Sequence, residues 1–284
     1  MLQHILIVVL LLAGICYGIA ILYNTYHSRD LLRSEPGSFL FIAVIEFLIY
    51  LCGSLGISGY LLNTLLLKHG RYTDDKHIPG TLVAGGLTPG AVIAAFLLRA
   101  NASVDTATLL VCGFCAMAGG TVGAKLVGQF DSKLIKRIMQ VALIASFVIL
   151  IVKIAVTAGA AGTATSLTPL QLCIAAAVCF LSGVTNMFGI PMKPTWTALF
   201  LILGMSPLIT LTLVLVLASL SPLIGGHTVI RNKLYHHKTV FCATTFGTAG
   251  AILGTLLAIT VSAATLNTIL IVVMLIAIIT MFRS

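Results

Sequence analysis

Long apolar runs separated by short polar interruptions make up almost the whole chain. The runs cover 3–23, 38–67, 79–98, 107–128, 134–157, 167–190, 194–204, 207–226, 240–260 and 262–282. Polar and apolar residues do not alternate within them, so they predict helices and not the strands of a barrel. Most are about 20 residues long, the length that crosses a hydrocarbon layer of about 30 Å. Two regions are too long. At about 1.5 Å per residue, 38–67 would make about 45 Å of helix, and 167–204 is longer still. Each carries helix breakers at its centre: "CGSLGISGY" at 52–60 and "NMFGIPMKP" at 186–194. The predicted fold class is an all-α membrane protein, a polytopic helical bundle of about 8–10 transmembrane elements built from two repeats with broken helices.

The two breaks point to a duplication. At an offset of 133, Gly56 falls on Gly189, Gly86 on Ser219, and "LTP" at 87–89 on "LSP" at 220–222. At an offset of 131, "AGGTVGAKL" (118–126) falls on "AGAILGTLL" (249–257), with Gly119 on Gly250 and Gly123 on Gly254. Small-xxx-small spacing also recurs in any closely packed membrane helix, which is the competing explanation. Duplication divides the chain into an extra helix and loop at 1–37, a first repeat at 38–157, a linker at 158–166 and a second repeat at 167–284. Counted as single crossings, the broken regions make the repeats parallel. If one dips in and out of the membrane, the repeats become inverted, and the sequence leaves both arrangements open. Single crossings put Lys68, Arg71, Lys76, Lys133, Lys136 and Arg137 on one face, expected to be cytoplasmic. They put Arg29, Arg33, Arg99, Arg231, Lys233 and Lys238 on the other.

Composition agrees with lipid as the solvent. The 284 residues are 59% hydrophobic and 8% charged, with a mean hydropathy of +1.14, against about 25% charged in soluble domains. The run at 5–23 is longer than a signal h-region and lacks a basic leader, so it is expected to remain as a transmembrane helix. The net charge of +9 comes from loop residues spread along the chain, which argues against nucleic acid as a partner and for interfacial anchoring. All seven Cys lie in apolar segments, which argues against an extracellular disulfide framework. Cys112 and Cys115 have the C-x-x-C spacing that a redox or soft-metal role would use, but small apolar packing in a tight transmembrane helix is the favoured reading. His227, His236, His237 and Cys242 match no strong metal pattern. No P-loop is present, and no span holds an H-E-x-x-H or paired Ser and His, so neither ATP hydrolysis nor intramembrane catalysis is expected. No cofactor or metal is expected.

The broken helices are the candidate site. A break frees backbone N–H groups, and a half-helix N-terminus carries partial positive charge, so two facing breaks suit a small anion near the midplane. Expected contributors at the breaks are Ser54, Gly56 and Ser58 in the first, and Asn186, Gly189, Lys193 and Thr195 in the second. The matched pairs Gly86 with Ser219 and Thr88 with Ser221 add backbone access and hydroxyls beside helix kinks. The competing reading makes "GIPMKPTW" an interfacial turn, with Lys193 snorkelling and Trp196 in the aromatic belt. Glu46 is the one carboxylate inside a span. It is expected to face the protein interior, either as carrier of a coupling proton or paired with Lys125 or Lys153.

This plan resembles the sulfite exporter TauE/SafE family of bacterial anion permeases over roughly 38–282. The resemblance rests on a Gly-rich break early in each half and a short helix ending in Gly70 or Gly204. A span of small and hydroxyl residues follows, then the "ASVDTA" loop at 102–107, and last a Gly-x-x-x-Gly helix. The sequence departs from the family at the breaks themselves, which read "GSLGISGY" and "NMFGIPMKP". The resemblance implies a permease in a bacterial inner membrane that moves sulfite, sulfonates or related sulfur anions. The expected partners are a small anionic substrate and the lipid bilayer, with a homodimer as one arrangement. An intramembrane enzyme or a channel-like protein is the alternative.

Overall fold

The computed structural model describes residues 2–56, 59–100, 104–127, 162–188 and 192–260, together with isolated positions between 129 and 155. The predicted runs at 134–157 and 262–282 fall largely or wholly outside the described residues. The described chain is helical, and its one β-type contact is an isolated bridge between Ala164 and Met205. The helices are α1 (Leu2–His27), α2 (Arg29–Ser34), α3 (Phe39–Ser54), α4 (Gly59–His69), α5 (Ile78–Ala100), α6 (Thr106–Val127), α7 (Pro169–Asn186), α8 (Met192–Ile202), α9 (Pro207–Leu220), α10 (Pro222–Asn232), α11 (His237–Cys242) and α12 (Thr248–Thr260). A π-helical turn, Ala243–Gly247, joins α11 to α12. Among the described residues, six segments are long and apolar enough to cross a membrane: Gln3–His27, Ile78–Ala100, Thr106–Leu126, Pro169–Asn186, Ile209–Asn232 and His237–Thr260.

Both long regions break where the helix breakers stand. Helix α3 stops at Ser54, and Gly56 turns the chain at φ +92°, a left-handed conformation that suits glycine. Helix α7 starts on a Thr168–Gln171 capping box with Pro169 in its first turn and stops at Asn186. Past each break the chain folds back. Asn63 on α4 reaches Glu46 on α3, and Gly59 lies against Ile49, so the two helices are antiparallel. Gln171 near the start of α7 donates to the Leu203 carbonyl just past α8, so the second region is also a hairpin.

Each hairpin therefore enters and leaves at one end of the bundle, which settles the open parity. Ser219 on α9 bonds the Gly90 carbonyl of α5, while Gly226 on α10 meets Leu87 and Leu234 meets Gly80. Rising numbers on one helix meet falling numbers on the other, so α5 runs antiparallel to its counterpart α9–α10. The two halves are inverted. Arg29, Arg33, Lys68, Arg71, Lys76, Lys125, Arg231, Lys233 and Lys238 consequently all lie at one end. This corrects the split expected from single crossings, because a re-entrant hairpin returns the chain to the face it came from.

The halves grip each other reciprocally. A methyl group added to Gly119 or Gly123 of α6 would overlap the backbone of Phe180 or Val184 on α7. One added to Gly250 or Gly254 of α12 would overlap the backbone of Phe47 or Leu51 on α3. Phe47 and Phe180, and Leu51 and Val184, are separated by the same 133 positions that align the breaks. Only glycine lets backbones approach this closely, and in lipid that close packing is what drives helices together.

Candidate functional site

The tips of the two hairpins meet in a cavity of about 60 Å³. That is room for a few water molecules or one small ion. The first hairpin contributes Tyr50, Gly53, Gly59, Tyr60 and Asn63, and the second Asn186, Met192 and Lys193. The crossing helices α5 and α9–α10 close the sides with Gly86, Gly90 and Ser219 among others. Gly86 and Ser219 are the pair matched at offset 133, and they face the same space from opposite halves.

Lys193 stands in the first turn of α8 with its side chain on the cavity. Its ammonium has no hydrogen bond or ion pair among the described residues. Asn186 is fully buried at the end of α7. The Tyr60 hydroxyl lies beside its amide, yet neither amide atom meets hydrogen-bond geometry. An unsatisfied buried amide costs about 1–3 kcal/mol, so this one suits a guest that accepts or donates a hydrogen bond. The amide, the ammonium and the N-terminal turn of α8 together give a donor-rich pocket with one positive charge.

Glu46 is 0% exposed and faces the protein interior. Its Oε2 accepts from Asn63 Nδ2 at 3.3 Å, and its Oε1 has no partner. Lys125 is exposed on α6 and does not reach it; Lys153 lies outside the described residues. Through Asn63, which lines the cavity, the carboxyl sits one side chain behind the site. At offset 133 the pair Glu46 and Asn63 becomes Cys179 and Trp196, which are buried together in the apolar core. The two hairpins thus share a shape and differ in chemistry.

The other expected residues lie elsewhere. Ser54 Oγ bonds the carbonyls of Tyr50 at 3.0 Å and Ala251 at 3.1 Å, tying α3 to α12. Thr88 donates to the Gly14 carbonyl of α1 at 3.1 Å. Ser221 is fully buried with its Oγ unpartnered, and it lies against Gly120 of α6. Neither of these two hydroxyls lines the cavity, and neither does half-buried Thr195. Gly56 forms the turn of the first hairpin. Ser58 and Gly189 fall outside the described residues.

Tyr50, Tyr60 and Asn63 were not picked out from the sequence. The available signal was Asn63, a polar residue near the end of the apolar run 38–67, which meets Glu46 only if the chain folds back. Cys112 pairs with Cys179 on the neighbouring helix and not with Cys115, and all seven cysteines are free thiols. Among the described residues no group of three His, Cys, Asp or Glu could hold a metal ion.

At the charged end, Glu35 joins the α2–α3 linker to the start of α11. Its carboxylate accepts from the backbone N–H of His237 at 2.9 Å and of Lys238 at 2.7 Å, and from the His237 ring at 3.0 Å. Burial alone would raise its pKa. The hydrogen bonds from His237 and Lys238 outweigh that and hold it below the usual carboxylate value. Burial pushes the neighbouring His236 imidazole below its ordinary pKa, against the pull of Glu35. No family model, curated protein or solved structure matches this chain.

Proposed function

We propose that this multi-pass membrane protein is a secondary transporter for a small anion, of the class of sulfite and organosulfonates, in a bacterial inner membrane. One observation carries the reading: two inverted re-entrant hairpins meet at a small buried cavity holding a lone lysine and an unsatisfied amide. Inverted halves with broken helices at their interface suit alternating access around a fixed midplane site. The anion is bound by Lys193 and Asn186, with the α8 N-terminus adding its dipole. Ser219 and the Tyr60 hydroxyl lie within the same pocket as further donors. One positive charge and a few neutral donors hold an anion selectively without making its release slow. The sulfur-anion class follows from the resemblance to TauE/SafE permeases, and the cavity size fits a small oxyanion.

Glu46 supplies the coupling. A carboxyl with one weak partner and no cation gains and loses a proton according to whether water reaches it, and Asn63 links it to the anion site. Purified protein in liposomes tests the reading. Labelled sulfite or taurine should enter saturably and exchange against internal unlabelled anion, and Lys193→Gln should raise the half-saturating concentration of both by roughly 10- to 100-fold. Non-saturating flux without exchange identifies a channel and overturns the transporter reading.

A further inference from the structure

The charged end holds a second space. A cleft of about 890 Å³ opens between the α2–α3 linker, the α4–α5 loop and the α10–α11 loop. Its walls carry both signs of charge, including Lys68, Arg71 and Lys233 against Glu35, Asp74 and Asp75, so it is hydrated. Between this cleft and the central cavity stands a small apolar cluster. Leu67, Ile78 and Leu82 are buried together, with Tyr60 and Tyr72 packed against them. Tyr60 and Leu82 also line the central cavity, while Tyr72 lines the cleft. Leu67 and Ile78 are chain neighbours of Lys68 and His77 in the cleft wall. The partition is therefore about one layer of side chains thick.

The opposite end is built differently. There Met192, which touches the cavity, belongs to a large buried cluster that includes Trp196, Phe200, Met205, Ile209 and Leu213. The two closures occupy equivalent positions in the inverted halves, Leu67 matching Phe200 at offset 133, and the second belongs to the larger cluster.

We propose that the charged end is the cytoplasmic face, and that its cleft is the cytoplasmic inlet to the central cavity, gated by Leu67, Ile78 and Leu82. The orientation rests on the nine basic residues gathered at this end, set against Arg99 alone among the described residues at the far end. The connecting loops are short, which is the condition under which such a bias fixes topology. The gate rests on the thin apolar layer, since a hydrophobic constriction blocks ions by excluding water and opens when widened or wetted. Gly56 bounds α4 on one side and the Gly70–Arg71 turn on the other, and in this proposal α4 is the element that moves. The proposal deepens the transport reading in what it says passes the gate; the orientation stands without it.

Thiol labelling with a membrane-impermeant sulfonate reagent tests it, because it needs no substrate. The native cysteines lie in apolar helices, and the unmodified protein sets the background. Lys233→Cys should label in inside-out vesicles and be protected in right-side-out vesicles. Ala218→Cys, on the central cavity, should label slowly in inside-out vesicles and not from the other side. Adding Leu82→Ala, or Leu67→Ala if the first variant is poorly made, should speed that labelling from the inside only. Labelling of Lys233→Cys from the outside overturns the orientation. Cavity labelling that is faster from the outside, or unchanged in both alanine variants, overturns the gate. Failure of anion flux with the labelling pattern intact overturns the transport reading and leaves the topology standing.

Discussion

The Glu46–Asn63 pair permits a prediction that separates structure from coupling. Among the described residues the carboxyl receives one hydrogen bond, at 3.3 Å, longer than the usual 2.9–3.0 Å for N–H···O. Its Oε1 and the Asn63 Oδ1 both lack partners. Asn63→Leu removes the one donor that the buried carboxyl has among the described residues, at a cost of about 1–3 kcal/mol. Glu46→Gln keeps the volume and gives the pair a complementary amide, whose N–H₂ can serve the free Asn63 Oδ1. That exchange should leave stability unchanged or raise it by about 0.5–1.5 kcal/mol, the net worth of one hydrogen bond. The same change removes the titrating group, so flux driven by a pH gradient should vanish while anion exchange persists. Denaturant or thermal unfolding in detergent measures the first half, and liposome flux with and without a pH gradient measures the second. The reasoning fails if Glu46→Gln destabilises the protein more than Asn63→Leu does, because the carboxylate is then held charged by something else. It fails equally if the pH dependence of flux survives Glu46→Gln.

Other outcomes follow from named contacts. Lys193→Gln should weaken anion binding by roughly 10- to 100-fold, the worth of a charge-assisted hydrogen bond of about 1.5–3 kcal/mol, as read by the half-saturating concentration for exchange. Gly119→Ala and Gly250→Ala should each destabilise by about 1–3 kcal/mol, because the added methyl group must push a neighbouring backbone away; parallel unfolding curves for the two would reflect their equivalent places, and no effect in either would refute the reciprocal contact. The Glu35 contact should weaken in acid. Both Glu35 and His236 have folded-state pKa values below their ordinary ones of 4.5 and 6.5. Their contribution is therefore complete above about pH 6.5 and declines as pH falls through the lowered values. Hydrogen exchange in residues 236–242, corrected for its intrinsic pH dependence, should show protection falling with acid, and Glu35→Gln should remove most of the Glu35 part of that change.

The asymmetry between the halves bears on mechanism. Where one hairpin carries Glu46 and Asn63, the other carries Cys179 and Trp196. Where one carries Lys193, its counterpart is Tyr60. An inverted duplication starts with two equal hairpins. Here one hairpin carries the carboxyl and the other the cation; Lys193 lines the cavity, and Glu46 stands behind it through Asn63.

The sequence alone determined the solvent and the secondary structure. Apolar runs of span length force helices, since lipid offers backbone groups no other partner. Breakers at 52–60 and 186–194 fixed where two of them stop, and the offsets of 133 and 131 paired the halves. Gly86, Ser219, Asn186 and Lys193 were legible as site candidates because polar or flexible residues in an apolar run are conspicuous. What only the tertiary structure decided is direction. A helix breaker says that a helix ends, and whether the chain then continues across or folds back depends on partners far away in sequence. The contact of Asn63 with Glu46 and of Gln171 with Leu203 made both regions hairpins, and that inverted the repeats and moved five basic residues, Arg29, Arg33, Arg231, Lys233 and Lys238, to the other face. Thr88 and Ser221 show the same limit on a smaller scale. Proline beside a hydroxyl marks a kink, while the direction the hydroxyl points is set by rotation about the helix axis, and α1 and α6 fixed that rotation by packing against it.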